Sequence, residues 1–85
     1  MWWVINVELL REKVGSEQPP RKWKMEIKAM AIQDALPDYH LCLDEEVRPN
    51  QVVFFSRDHN RLVASATKAG RLEWLHRLLF ERRAA

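Results

Sequence analysis

The sequence is poor in cysteine and glycine and has no long apolar stretch. Its 85 residues include one cysteine, Cys42, and two glycines, Gly15 and Gly70. A lone cysteine cannot form an internal disulfide, which small secreted domains usually need. Two isolated glycines cannot build a phosphate-cradling loop. No apolar run approaches the roughly 20 residues of a membrane-spanning helix, and the first residues lack the basic start of a signal peptide.

These absences predict a cytoplasmic protein that does not interact with membranes. The chain is too short to give a second domain a core of its own, so we expect one domain over residues 1–85. Apolar residues make up 47% and charged residues 31%, a balance typical of folded globular chains rather than disordered ones.

Patterns that carry catalysis or metal binding are also missing. His40, Cys42 and Asp44 alternate along one predicted strand, but a zinc site needs three or four ligands, and the other histidines have no matching spacing. The cysteine, serine and histidine residues lack the motifs that surround activated nucleophiles. The sequence therefore predicts no enzyme activity, no cofactor and no metal site.

Charge is unevenly distributed along the chain. Residues 1–46 carry six Lys/Arg and nine Asp/Glu, a net −3, whereas residues 47–85 carry eight Lys/Arg and three Asp/Glu, a net +5. The chain is also rich in tryptophan, with four residues: Trp2, Trp3, Trp23 and Trp74. Tryptophan serves in cores and as an interface anchor. Trp2 and Trp3 are adjacent, so on a strand they point to opposite faces.

The hydrophobic pattern predicts an α+β fold. Alternating apolar residues predict strands over residues 2–12, 21–29, 39–44, 51–57 and 61–66. The pattern of leucines predicts an amphipathic C-terminal helix over residues 68–83. Residues 30–36 predict a short helix that ends before Pro37, with a continued strand as the alternative. We expect a two-layer sandwich in which an antiparallel sheet of four or five strands packs on the C-terminal helix.

Two surfaces are candidates for partner binding. If residues 21–29 form a strand paired with residues 2–12, its lysines lie on the outer face beside an exposed tryptophan. The second surface is an acidic cluster after the third predicted strand. The candidate partner-binding residues are Trp2, Lys22, Lys24, Lys28, Asp44, Glu45 and Glu46.

Nucleic acid is the alternative partner. A row of lysines next to an aromatic ring can follow phosphates and stack bases. A basic helix start can also hold a phosphate. The candidate phosphate-binding residues are Arg57, Arg61, Lys68 and Arg71.

The sequence thus favours a small non-catalytic module that binds another protein. Folded chains of this size without catalytic motifs often act as inhibitors or accessory factors of larger complexes, including those of phages and mobile elements, and we expect this class. Binding of RNA or DNA is the second hypothesis. Homodimerisation through an edge of the first predicted hairpin or through the tryptophan pair is compatible with both.

Overall fold

The computed structural model describes residues 2–84, which form an α+β fold with a three-stranded sheet and four helices. The elements are β1 (Trp2–Asn6), α1 (Val7–Lys13), α2 (Pro20–Gln33), β2 (Tyr39–Asp44), β3 (Gln51–Ser56), α3 (His59–Lys68) and α4 (Leu72–Ala84). The predicted fold class is confirmed. A C-terminal helix is also present, but it begins at Leu72 rather than at residue 68, because Lys68 ends α3. The prediction of four or five strands is wrong, because three of the segments expected to be strands are wholly or partly helical.

The sheet is antiparallel, with strand order β1–β3–β2. Trp2 lies opposite Phe55, and Cys42 lies opposite Val53. The central position of β3 fits its sequence, because its β-branched and aromatic residues are suited to pairing on both sides. The strands at 39–44 and 51–57 are confirmed, the second ending at Ser56.

Helices pack on both faces of the sheet. One face, here called the α4 face, contributes Cys42, Val53 and Phe55 to a buried cluster with residues of α3 and α4. The helical members of that cluster are Leu62, Ala66, Leu75 and Leu78. The expected two-layer arrangement is therefore incomplete, because the opposite face is also covered over part of its area.

That opposite face, here called the α2 face, contributes Leu41 and Val52 to a second buried cluster. The remaining buried members come from α1 and α2: Val7, Trp23, Ile27 and Ala31. The Trp23 indole Nε1 donates a hydrogen bond of 3.0 Å to the Val7 carbonyl oxygen, which joins the two helices.

The predicted strand over 21–29 is a helix because a spacing of four residues outweighs the alternation. Trp23, Ile27 and Ala31 recur every fourth residue and are buried, whereas Met25, assigned to the same strand face, is 64% exposed. Pro20 does not oppose the helix, since proline is well accommodated in the first helical turn. The expected helix at 30–36 is only the end of α2, which stops at Asp34 in a left-handed conformation with φ 51°.

Helix capping by a polar side chain explains why the predicted strands over residues 2–12 and 61–66 are wrong in part or in full. The Asn6 side chain accepts hydrogen bonds from the backbone N–H groups of Glu8 and Leu9, so the first strand ends there and α1 begins. The Asp58 side chain accepts from the Arg61 N–H, so residues 61–66, expected to be a strand, belong to α3. In both places one polar side chain redirects a chain of suitable β composition into a helix.

Candidate functional site

The predicted row of lysines is not on a strand face. Lys22, Lys24 and Lys28 lie on α2. The Nζ atoms of Lys24 and Lys28 are 3.0 and 2.8 Å from the two carboxylate oxygens of Glu45. The two lysines therefore hold α2 against the end of β2, and Glu45 neutralises one of their two positive charges.

The hydrogen bond from Lys28 lowers the pKa of Glu45 below its usual value, an effect that Lys24 reinforces and partial burial opposes. Because the folded pKa is lower than the unfolded one, the pair stabilises the fold above the unfolded pKa. This contribution is lost as the pH falls through the folded pKa.

Glu45→Gln is therefore expected to lower the free energy of unfolding by less than about 1 kcal/mol at neutral pH, since the pair is partly exposed. In acid, the variant and the unmodified protein are expected to have the same free energy of unfolding. Urea unfolding at neutral and acidic pH measures both values, with Glu26→Gln as the control, because Glu26 is an exposed acid on α2, the helix that carries Lys24 and Lys28. A difference that grows in acid would contradict this assignment.

The acidic cluster is divided among separate structural contacts. Asp44 is buried, and its carboxylate accepts a 2.9 Å hydrogen bond from Trp74 Nε1 and lies 3.4 Å from Arg77. Glu46 is exposed and also lies 3.4 Å from Arg77. These acids connect β2 and the loop after it to α4, rather than presenting one acidic surface.

Trp2, expected on the outer surface beside the lysines, packs on the α4 face. Its ring meets Trp74 and Phe55 edge-on, with centroid separations of 5.6 and 6.4 Å. Trp2 thereby joins the first strand to the last helix. The inference that Trp2 and Trp3 point to opposite faces is confirmed, but Trp3 is the more exposed of the pair.

The four predicted phosphate-binding residues have different surroundings. Arg57 donates hydrogen bonds to the side chain of Asp34 at 2.9 Å and to backbone carbonyls near it. The Arg71 guanidinium stacks over the Trp74 ring at 4.0 Å. Arg61 lies in the first turn of α3 and Lys68 at its end, about 10 Å apart along a helix.

A partly exposed group of rings lies on the α2 face, beside the second buried cluster. Trp3, Tyr39 and Phe54 come from the three different strands. The Trp3 ring lies 4.8 Å from Tyr39 and 6.1 Å from Phe54, measured between centroids. Trp3 is nevertheless 53% exposed. We call these three residues the aromatic surface.

An open groove of about 330 Å³ adjoins the aromatic surface, and Trp3 and Tyr39 form one side of it. Its polar lining is Ser56, Asp58 and Arg61. The Ser56 hydroxyl accepts from the Asp58 N–H, and the Asp58 carboxylate caps α3, so the groove is built on a fixed strand-to-helix turn. Arg61 is exposed, and its guanidinium can donate to an acceptor placed in the groove.

A row of three hydrogen-bonded side chains is centred on His40, which lies on the α4 face of β2. Asp34 Oδ1 is 2.9 Å from His40 Nδ1, and His40 Nε2 is 3.3 Å from His59 Nε2. Because the Asp34 carboxylate accepts at Nδ1, His40 donates there, a tautomer assigned from this hydrogen bond. Within residues 2–84, no three His, Cys, Asp or Glu side chains form a group that could hold a metal ion.

Sequence reasoning missed both the histidine row and the aromatic surface. His40 was grouped with Cys42 and Asp44 because all three share a strand face, and the strand spacing gives no sign that His59 joins it. Trp3, Tyr39 and Phe54 are distant in sequence, and strand pairing alone brings them together.

No protein-family model, curated protein or solved structure matches this chain. Among the described helices, none combines the length and apolarity required to cross a membrane.

Proposed function

We propose that this protein is a non-catalytic module that binds another protein through the aromatic surface and the adjoining groove. The observation that carries the proposal is the exposure of Trp3 within a group of three rings in contact. Tryptophan, tyrosine and arginine are the residue types that dominate binding energy at protein interfaces. All three types occur here within one groove, as Trp3, Tyr39 and Arg61.

The three rings pack against one another on the sheet. Edge-on contact with Tyr39 restricts Trp3, so little side-chain freedom remains to be lost on binding. Covering the exposed half of the indole contributes about 1–2 kcal/mol, because full burial of a large apolar side chain contributes up to roughly 3 kcal/mol. The surface is therefore able to anchor a partner without a conformational change.

The groove defines the chemistry of the partner. An apolar or aromatic side chain would pack on Trp3 and Tyr39, and a neighbouring polar or acidic group would accept from Arg61. Asp58 places a carboxylate at the same groove, so a purely anionic partner is disfavoured. We infer a mixed apolar and polar protein segment, consistent with an inhibitor or accessory factor of a larger complex.

Single-stranded nucleic acid is the second candidate, because exposed rings on a sheet can stack bases. Such binding also requires a continuous basic track along the phosphates. Two acids interrupt such a track, because Glu45 neutralises one of the two charges of Lys24 and Lys28, and Asp34 lies against Arg57. The charge pattern therefore favours a protein partner over a nucleic acid.

The test compares Trp3→Ala with Phe80→Ala, a matched control because Phe80 is an exposed aromatic on α4. Tagged protein is used to capture partners from the source lysate, with and without nuclease, and titration calorimetry then measures the affinity of the purified partner. Trp3→Ala is expected to weaken binding at least tenfold, which corresponds to about 1.4 kcal/mol. Phe80→Ala is expected to bind like the unmodified protein.

Two results would overturn the proposal. In one, a purified partner binds Trp3→Ala and the unmodified protein equally well. In the other, capture depends on nucleic acid that nuclease removes, and binding falls steeply with salt, which would move the second candidate to first place. Circular dichroism of each variant verifies that the fold is retained.

A further inference from the structure

The two edge strands of the sheet differ sharply in how they are protected. β2 is an edge, but its residues Leu41, Cys42 and Asp44 are buried, and both α2 and α4 pack against it. β1 is the other edge, and no strand within residues 2–84 pairs with its outer side. On β1, Trp3 is 53% and Val4 40% exposed, and these two residues lie on opposite faces of the sheet.

The hydrogen-bond pattern shows which backbone groups of β1 point outward. The Val7 N–H donates to the Asn50 carbonyl at 3.1 Å, and this pair continues the β1–β3 register. In an antiparallel ladder, bonded residues alternate, so Ile5 and Trp3 also bond to β3. Val4 lies between Trp3 and Ile5, so its N–H and C=O groups point away from β3.

The sequence of β1 lacks the features that normally protect an open edge. Natural edge strands are guarded by charged residues, proline or a bulge, because an open edge accepts another strand. Trp2–Asn6 contains no charged residue and no proline, and its five residues pair with β3 in unbroken register. It is an intact neutral strand with a free hydrogen-bonding side.

We propose that β1 pairs with β1 of a second copy of this chain, antiparallel and centred on Val4, to form a continuous six-stranded sheet. The two Val4 residues then exchange N–H···O=C bonds about a twofold axis. Two residues away on each side, the outward carbonyl of Trp2 accepts from the Asn6 N–H of the second copy. Asn6 remains the cap of α1, since that role uses its side chain.

Self-complementarity identifies a second copy as the occupant. With Val4 at the centre, the central pairs are apolar, because Val4 lies beside Val4 on the α4 face and Trp3 lies beside Ile5 of the second copy on the α2 face. The outer pair sets Trp2 beside the neutral Asn6. Since β1 is uncharged, no like charges are brought together across the axis. The dimer also places two aromatic surfaces on the same side of one sheet, although the inference does not rest on their proposed function.

Val4→Pro is the sharpest test. Proline removes the outward N–H and is tolerated on an edge strand when its nitrogen faces solvent. The β1–β3 bonds, which use Trp3 and Ile5, are unaffected. Sedimentation equilibrium from micromolar to millimolar concentration is expected to show a monomer–dimer equilibrium for the unmodified protein and a monomer for Val4→Pro. Val4→Thr, a β-branched control that keeps the N–H, is expected to dimerise within a few-fold of the unmodified protein.

Val4→Lys gives a second route in case proline disturbs the strand. It would set two ammonium groups opposite each other at the axis, so dimerisation is expected to fall at least tenfold. Hydrogen exchange provides a residue-level readout: the amides of Trp3 and Ile5 are protected at every concentration, and that of Val4 only where the dimer forms.

A monomeric unmodified protein at every concentration overturns the inference. A dimer that persists in folded Val4→Pro or in Val4→Lys also overturns it. Failure here is distinct from failure of the proposed function, because monomeric Val4→Pro keeps Trp3, Tyr39 and Arg61 for partner binding.

Discussion

Replacing Phe55 with alanine is expected to lower the free energy of unfolding by about 3–5 kcal/mol. Phe55 is fully buried on the central strand. Its ring lies 5.3 Å from Trp74 and 6.4 Å from Trp2, so its loss opens a cavity where the first strand meets the last helix. Domains have roughly 0.05–0.15 kcal/mol of stability per residue, or about 4–13 kcal/mol here.

Phe55→Ala should therefore leave a large unfolded fraction at physiological temperature. Urea unfolding monitored by far-ultraviolet circular dichroism measures the effect. Phe80→Ala, the same change at an exposed site, is expected to stay within about 0.5 kcal/mol of the unmodified protein. A loss below 1 kcal/mol for Phe55→Ala would show that this core collapses around the missing ring without cost.

Asp44→Ala is expected to cost about 2–4 kcal/mol. Asp44 is the buried acceptor for the Trp74 indole N–H and lies against Arg77. Removing the carboxylate leaves the indole N–H without this acceptor and withdraws a negative charge from a partly buried guanidinium. Asp44→Asn, which retains one oxygen acceptor, is expected to lose about half as much as alanine.

Glu46 provides the matched control for this change. It is an acid two residues away and also lies 3.4 Å from Arg77, but its side chain is largely exposed. Glu46→Ala is therefore expected to change stability by no more than about 0.5 kcal/mol. Equal losses for Asp44→Ala and Glu46→Ala would mean that burial of Asp44 contributes nothing beyond the ion pair.

The parts of the fold that the sequence predicts best are the strands β2 and β3, although not their pairing with each other. Residues 39–44 alternate and residues 51–57 are β-branched and aromatic, and neither segment carries a competing four-residue spacing. The helices were harder to predict, because α2 satisfies two periods at once. Trp23 and Ile27 fit both a strand face and a helix face, and only Ala31 and exposed Met25 distinguish them.

The aromatic surface depends on where α2 packs, which no local pattern predicts. Trp2 and Trp3 are chemically identical neighbours, and the strand period correctly separates them. Which one is covered follows from the position of the helices: α4 packs on Trp2, whereas α2 covers Leu41 and Val52 and stops short of Trp3. The prediction that Trp2 is the exposed tryptophan is wrong for this reason.

The pairing of β1 with β3 also has a consequence during synthesis. The hairpin of β2 and β3 joins segments that are close in sequence, but Asn6 pairs with Gln51, about 45 residues later. During translation β1 emerges first and must wait, with both of its edges unpaired, until β3 has followed. A neutral, apolar strand in this position is vulnerable to pairing with other nascent chains. Rapid formation of α1 and α2 directly behind it would shorten that exposed interval.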